Sequence, residues 1–190
     1  MTQEDANMLN TFKITALALG LGLAPALAVA NPMVGGAPML AERNIVENAI
    51  NSADHTTLVA AVQAAELADA LQGPGPMTVF APVNAAFDAL PDGTVDTLLQ
   101  PENRAMLQRI LTSHVVAGNL SGAEIMRRAR ASRDGFFHME TLSGAPLSAQ
   151  VRGRSLWIYD QSGNAGRVTI SDVNQSNGVI HVVDSVLLPR

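Results

Sequence analysis

The chain has 190 residues, with 12 basic and 17 acidic side chains, a formal net charge of −5 at pH 7 and no cysteine. This mildly acidic composition excludes nucleic acid as the expected partner, because phosphate binding needs concentrated positive charge. Without disulfides the fold must be held by a hydrophobic core, and a chain of this length is long enough to form one.

The N-terminal 30 residues look like a targeting segment. Residues 14–30 carry no charge and end in a small-x-small sequence, Ala-Val-Ala, before Asn31. This pattern predicts a signal peptide over 1–30 that is cleaved before Asn31. The apolar run is too short, and too interrupted by glycine and proline, for a comfortable membrane span.

The start codon is a separate question, because Glu4 and Asp5 lie where a basic leader is typical. We therefore predict that Met8 is the true first residue. The expected location is periplasmic or secreted, with no integral membrane span after cleavage. A lipid anchor is not expected, because a bacterial lipoprotein needs a cysteine at the cleavage site.

Residues 31–43 are rich in proline, glycine and methionine without periodicity, which predicts a flexible leader. One domain is then expected over 44–190. Helical periodicity begins at residue 44 and again at residue 56. The Gly-Pro repeat at 73–76 is a tight connection that leads into a short apolar strand at 77–81.

The segment 78–91, TVFAPVNAAFDALP, continues that strand into a small helix. Pro82 cannot donate to a β-ladder, so the strand is expected to stop there. Asn84 is the predicted N-cap of a helix that carries Phe87, and Pro91 closes it.

Two more helices and then a series of strands are predicted. Pro101 opens one helix, and Ser121 with Glu124 has the spacing of a capping box before another. After about residue 135 the apolar period changes from helical to two, with glycine-containing turns between runs. Helices first and strands afterwards, with one strand early, predict a single α+β domain.

The segment 177–189, NGVIHVVDSVLLP, starts with the turn dipeptide Asn177-Gly178. The apolar run that follows is typical of a strand buried on both faces. Asp184 interrupts the run, and we predict a buried, paired carboxylate there that fixes the strand register.

These two segments, in this order, resemble the paired signature segments of the fasciclin domain. Between them, Ser113-His114-Val115 is similar to the Tyr-His-Val element of that family, with serine in place of tyrosine. The resemblance covers about 45–189 and implies a wedge-shaped β-sandwich with N-terminal and inserted helices packed on one side. The positions that match the family signature, expected to be mainly structural, are Thr78, Val79, Phe80, Ala81, Pro82, Asn84, Phe87, His114, Asn177, Gly178, His181 and Asp184.

No arrangement in the sequence specifies catalysis. The four histidines lie on different predicted elements, and His138 with Glu140 is only a weak metal pair. A triad that includes His181 and Asp184 is conceivable. An imidazole bonded to a backbone carbonyl is the favoured interpretation of His181. No catalytic residue, metal or cofactor is therefore expected.

His114 has two interpretations. The resemblance connects the Tyr-His element with adhesion, whereas its position at the end of an apolar helix favours a structural role for the imidazole. Because tyrosine is replaced by Ser113, the structural interpretation is preferred.

Trp157 and Tyr159 are the only Trp and Tyr in the chain and lie two apart on one strand. They share a face, which is core if it points inwards and a binding patch if it points outwards. Because Ile158 makes the opposite face apolar as well, both interpretations remain open, and core packing is preferred. They are nevertheless the best candidates for contacts to a partner or ligand.

Three functions compete. The preferred one is an exported, non-enzymatic adhesion module that binds a protein or extracellular polymer. We expect it to be a monomer. The first alternative is a carrier of an apolar small molecule, a lipid or carotenoid. Its expected lining residues are Met77, Met106, Met126, Met139, Phe136, Phe137 and Trp157. The second alternative is a periplasmic hydrolase.

Overall fold

The structure, a computed structural model, describes residues 31–189, so the predicted signal peptide and the proposed start at Met8 lie outside the described residues. Seven α-helices are present in the described part: α1 (Ile45–Ala49), α2 (Thr56–Ala64), α3 (Ala68–Gln72), α4 (Asn84–Asp88), α5 (Thr94–Leu98), α6 (Arg104–Thr112) and α7 (Gly122–Ala131). The strands are β1 (Met33–Val34), β2 (Ala37–Pro38), β3 (Met77–Pro82), β4 (Val115–Ala117), β5 (Phe136–Glu140), β6 (Pro146–Arg152), β7 (Ser155–Tyr159), β8 (Ala165–Gln175) and β9 (Gly178–Val183). The α+β class is confirmed.

The segment predicted to be a flexible leader is partly ordered, so that prediction is wrong for residues 33–39. Strands β1 and β2 form a hairpin around Gly35 and Gly36, both at positive φ, the backbone conformation that a two-residue turn requires. Val34 is 3% exposed and Met39 2% exposed, and both belong to the core. The apolar run was too short for its periodicity to reveal this burial.

The other seven strands form one mixed sheet in the order β4-β3-β9-β8-β7-β6-β5, in which only β3 and β9 are parallel. The long strand β8 shifts register between Val168 and Val173, and such bulges bend a sheet. The bend brings the two sheet ends together, where Leu142 N donates to Val115 O at 2.8 Å and Val116 bridges Thr141. The sheet is thus wrapped nearly into a barrel, with two halves that face each other.

Strands β3 and β9 separate two cores and are buried along their whole length, as predicted for the C-terminal strand. Val79 and Ala81 pack with Ile45 of α1 in the first core. Phe80 points the other way, into a second core between the two halves of the sheet. Helices α1–α6 lie with the first core and its neighbouring clusters, whereas α7 inserts the fully buried Ile125 into the second core.

The two signature asparagines connect helices to this central pair of strands. Asn84 does not cap its own helix as predicted, since the N-cap of α4 is Val83. Its Oδ1 instead accepts from Thr57 N at 3.0 Å, so it caps α2, and its Nδ2 donates to Ala53 O at 2.9 Å. The free N–H groups of a helix start must find partners, and here the partner comes from another element.

Asn177 performs the same task for α1 and α3. Its Oδ1 accepts from Ile45 N at 3.1 Å, and its Nδ2 donates to Leu71 O at 2.8 Å and Gly73 O at 3.1 Å. The adjacent Gly178 lies so close to β3 that a Cβ would stand 2.0 Å from Met77 O. Only glycine permits this approach of the two parallel strands.

Within residues 31–189, no helix combines the length and the apolar character needed to cross a membrane.

Candidate functional site

His114 lies in the interior, with 3% of its surface exposed. Its Nδ1 donates to Ile110 O at 2.8 Å, and its Nε2 accepts from Leu187 N at 2.9 Å. Both ring nitrogens are thus used in the neutral form, and burial lowers the pKa of His114 to about 4. The neighbouring Ser113, at the tyrosine position, is 2% exposed and donates to Ile110 O at 2.6 Å. Because both side chains are enclosed, we interpret them as structural.

His181 joins the central strand to the start of α7. Its Nε2 donates to Leu120 O at 2.8 Å, its Nδ1 accepts from Asp172 N at 3.3 Å, and its ring stacks on Phe80 with centroids 5.6 Å apart. Burial lowers its pKa, so the ring stays neutral. The predicted bond to a backbone carbonyl is confirmed. The conceivable triad with Asp184 does not form, because Asp184 contacts Arg167 instead.

Asp184 was expected to be a buried carboxylate, and this expectation is wrong. Strand β9 ends at Val183, and the Asp184 side chain is 39% exposed. It accepts from Arg167 N at 2.7 Å and lies 3.5 Å from Arg167 Nε. The apolar residues before Asp184 belong to β9, and those after it belong to the segment that follows the strand. The apolar run in the sequence therefore extends beyond the end of β9.

The carboxylate that fixes the C-terminal segment is Asp160, which is 8% exposed. Its Oδ1 accepts from Ser162 N at 2.8 Å and Asn164 N at 2.9 Å. Its Oδ2 accepts from Asn164 Nδ2 at 2.9 Å and Leu188 N at 3.0 Å. Asp160 therefore closes the turn after β7 and ties it to the end of the chain.

We expect Asp160→Ala to lower the free energy of unfolding by about 2–3 kcal/mol, because four hydrogen bonds to a buried, charged acceptor would be lost. Asp184→Ala is the matched control and should cost less than about 1 kcal/mol, because its ion pair is exposed. Urea denaturation of both variants measures this difference. Equal losses for the two variants would show that Asp160 is not the anchoring carboxylate.

The outer face of β5, β6 and β7 holds a hydrogen-bonded Ser-His-Asp series. His138 Nδ1 accepts from Ser148 Oγ at 2.8 Å, and His138 Nε2 donates to Asp134 Oδ2 at 3.0 Å. Asp134 also accepts from Ser132 Oγ and Phe136 N, and these bonds together with His138 hold the pKa of its carboxyl well below the usual range. The series has the hydrogen-bond order of a hydrolase triad.

Other requirements of a hydrolase are not met by this series. The side chains of His138 and Asp134 are 60% and 54% exposed, so water surrounds their hydrogen bond and weakens it. Ser148 is paired with β5 on one side and β7 on the other, so its backbone groups serve the ladder rather than an oxyanion. His138 and Glu140 do not form a metal site, and no group of three or more ligating side chains occurs in residues 31–189.

Trp157 and Tyr159 lie on this same outer face, so the preferred core assignment is wrong. The residues that alternate with them, Leu156 and Ile158, are the buried ones. The Arg152 guanidinium lies 5.5 Å from the Trp157 ring centroid and 5.1 Å from that of Tyr159. We call this surface the aromatic face; it consists of Phe136, His138, Ser148, Gln150, Arg152, Trp157 and Tyr159.

The aromatic face is ordered by contacts among its own members. Phe136 meets Tyr159 edge-on with centroids 5.7 Å apart and stacks on His138 at 6.3 Å. Tyr159 OH donates to Gln150 Oε1 at 3.2 Å, and Arg152 Nε donates to the same oxygen at 3.0 Å. The sequence pattern did not assign Arg152 to a surface with Trp157 and Tyr159, although its period-two spacing from Gln150 on β6 was the available signal.

A cavity of about 190 Å³ lies elsewhere, between the β1–β2 hairpin, α1, α2 and the first core. None of the seven residues expected to line a carrier pocket borders it; Met77 belongs to the packed first core, Met139 to the second, and Met106 is 58% exposed. The lining comes instead from residues of the hairpin, the helices and the central strands β3 and β9, and from His55.

Comparisons with known proteins agree with the fold. A sequence model of the Fasciclin domain matches residues 53–189. The chain is 41% identical over 183 residues to protein sll1483 of Synechocystis sp., covering 93% of this chain and 92% of that protein. It is 36% identical over 169 residues to immunogenic protein MPB70 of Mycobacterium bovis, covering 85% of this chain and 78% of that protein.

Two further similarities are more partial. Cell surface glycolipoprotein MPB83 of Mycobacterium bovis is 39% identical over 123 residues, covering 65% of this chain and 48% of that protein. The FAS1 domain pair of the insect cell adhesion molecule fasciclin I superposes with a TM-score of 0.56 at 22% identity, covering 67% of this chain and 42% of that chain. The latter similarity concerns the fold alone.

The wrapped mixed sheet with its helical first core is the architecture of fasciclin-like domains. The chain belongs to the fasciclin domain family, as the signature segments indicated. That family is known for extracellular and cell-adhesion domains.

Proposed function

We propose that this protein is an exported, non-enzymatic interaction module that binds a partner protein or an extracellular polymer through the aromatic face. The observation that carries the proposal is the outward position of Trp157 and Tyr159 under the guanidinium of Arg152. Aromatic residues and arginine are enriched at protein interfaces and dominate their binding energy.

The order of the aromatic face supports this role. Gln150 holds both Tyr159 and Arg152 by hydrogen bonds, and the rings contact one another. A surface that is already ordered loses little side-chain entropy on binding, so more of the contact energy appears as affinity. The strands beneath it are fixed by the second core.

Export and adhesion are supported by the predicted signal peptide, by membership of the fasciclin domain family and by the similarity to MPB83, a cell surface glycolipoprotein. A non-enzymatic role is supported by the exposure of the Ser148–His138–Asp134 series and by the pairing of Ser148 with strands on both sides. His114 is not part of the proposed surface, because it is buried.

The test measures binding of the labelled protein to source cells from which its gene has been deleted. The double variant Trp157→Ala, Tyr159→Ala should bind about thirtyfold more weakly, since interface anchors contribute about 2 kcal/mol or more on truncation. The control Met106→Ala removes a side chain that is 58% exposed on α6 and should bind like the wild type. Circular dichroism establishes that both variants are folded.

Wild-type affinity in the folded double variant would contradict the aromatic face as the binding surface. A loss of equal size in Met106→Ala would contradict it as well, since binding would then involve a different side of the molecule.

A further inference from the structure

The cavity between the hairpin and the first two helices is almost entirely apolar. Its volume is about 190 Å³, and side chains from β1, α1, α2, β3 and β9 surround it. Representative lining residues are Val34, Met39, Val46, Leu58, Val79 and Ile180. Such a space favours an apolar occupant over water, because water needs several polar partners.

One polar side chain, His55, contributes an unpartnered atom to this lining. His55 is 3% exposed, and its Nδ1 lies 2.8 Å from Ser52 Oγ. Its Nε2 is buried and makes no hydrogen bond of normal geometry. Burial lowers the pKa of His55, and the Ala81 carbonyl opposes this shift. A buried polar atom without a partner is costly, so it marks a place where a ligand could supply one.

The surroundings of the ring select its tautomer. Ser52 Oγ can donate to Nδ1, and this arrangement leaves the proton of the neutral ring on Nε2. Because Nε2 makes no hydrogen bond of normal geometry within the protein, this N–H remains available to the acceptor oxygen of a ligand in the cavity.

The volume limits the size of the ligand. An engineered apolar cavity of about 150 Å³ accepts benzene, which corresponds to about 25 Å³ for each non-hydrogen atom. The present cavity would hold about eight such atoms on that scale. Three of the residues that border it, Ile50, Gln63 and Gln72, are exposed and provide a route from solvent.

We propose that this cavity binds a small, neutral, largely apolar molecule of about eight non-hydrogen atoms, whose one carbonyl or ether oxygen accepts a hydrogen bond from His55 Nε2. Such a molecule is far smaller than a lipid or a carotenoid. The proposal rests on the cavity alone and is independent of the aromatic face, so either can fail without the other.

The test uses benzaldehyde as the probe and styrene as its isostere, which has the same number of non-hydrogen atoms but no oxygen. Benzaldehyde should shift the NMR signals of the cavity-lining methyl groups and of the His55 ring nitrogens. Styrene should shift the methyl signals only. His55→Phe should lower the affinity for benzaldehyde about three- to tenfold, which corresponds to the loss of one hydrogen bond. The same variant should change the affinity for styrene by no more than about twofold.

A second variant tests the cavity without touching His55. Ala49→Leu places a larger side chain on the cavity wall and should abolish binding of both probes. Ala85→Leu makes the same change at an exposed position of α4 outside the cavity and should leave binding unchanged. Thermal unfolding of each variant shows that the comparison is made on folded protein.

Three outcomes would overturn the proposal. The first is the absence of methyl shifts in the wild type up to the solubility limit of benzaldehyde. The second is unchanged binding in folded Ala49→Leu. The third is binding of benzaldehyde without any change at the His55 ring, which would remove the assigned hydrogen bond even if His55→Phe does not fold.

Discussion

Replacing Phe80 with alanine is expected to lower the free energy of unfolding by about 3–5 kcal/mol, the range measured for large-to-small changes in protein cores. Phe80 is fully buried, and it is the residue of β3 that fills the second core between the two halves of the sheet. Its ring also stacks on His181, so truncation would leave a cavity next to a buried imidazole. Urea denaturation followed by circular dichroism measures the loss.

The matched control is Phe136→Ala, which removes the same side chain from the outer face of β5, where it is only partly buried. We expect a loss of about 1 kcal/mol or less, because little apolar surface returns to water there. Similar losses at Phe80 and Phe136 would contradict the assignment of Phe80 to the centre of the second core.

Acidification is expected to destabilise the protein between about pH 6.5 and pH 4, with about 3 kcal/mol lost through His114 alone. Burial lowers the pKa of His114 to about 4 from 6.5, and it also lowers the pKa values of His55 and His181. For His114, the Ile110 carbonyl and the charge of Asp160 oppose the shift, but burial outweighs both.

The sign of this pH dependence of stability follows from proton linkage. In this range the unfolded chain binds protons on these imidazoles and the folded chain does not, so the free energy of unfolding falls as the pH falls. The stability is complete above the unfolded pKa and is lost progressively towards the folded pKa. The lowered pKa of the exposed Asp134 acts in a different range, below its ordinary value of 3.8.

Urea denaturation at a series of pH values measures this slope, and NMR of the histidine rings shows which of them remain neutral. The control His138→Gln removes the exposed imidazole, keeps the three buried ones, and should retain the slope. A free energy of unfolding that does not change between pH 7 and pH 4.5 would contradict the neutral, buried state of these histidines.

The sequence by itself determined the fold class, the change from helices to strands after about residue 135, the end of β3 at Pro82 and the complete burial of β9. These features depend on local patterns, namely apolar periodicity and the missing N–H of proline, which act over a few residues. The family signature could be recognised for the same reason, since it consists of short continuous segments.

The roles of individual side chains were decided by the tertiary structure. Asn177 accepts from Ile45, which lies 132 residues away in the chain, and Asn84 caps a helix that begins before it. The local sequence predicts that an asparagine will cap a helix, but which helix it caps is decided only when distant elements pack together.

The same reason explains the errors at Asp184, at the leader and at the aromatic face. Strand β7 alternates Leu156 and Ile158 with Trp157 and Tyr159, so both of its faces are apolar and periodicity could not choose the inner one. The choice was made by the bend in β8, which turns the Leu156 and Ile158 face towards Phe80 and leaves the two aromatic rings outside. Burial is a property of the packed sheet, because it depends on which surfaces the fold brings together, and a single strand does not contain that information.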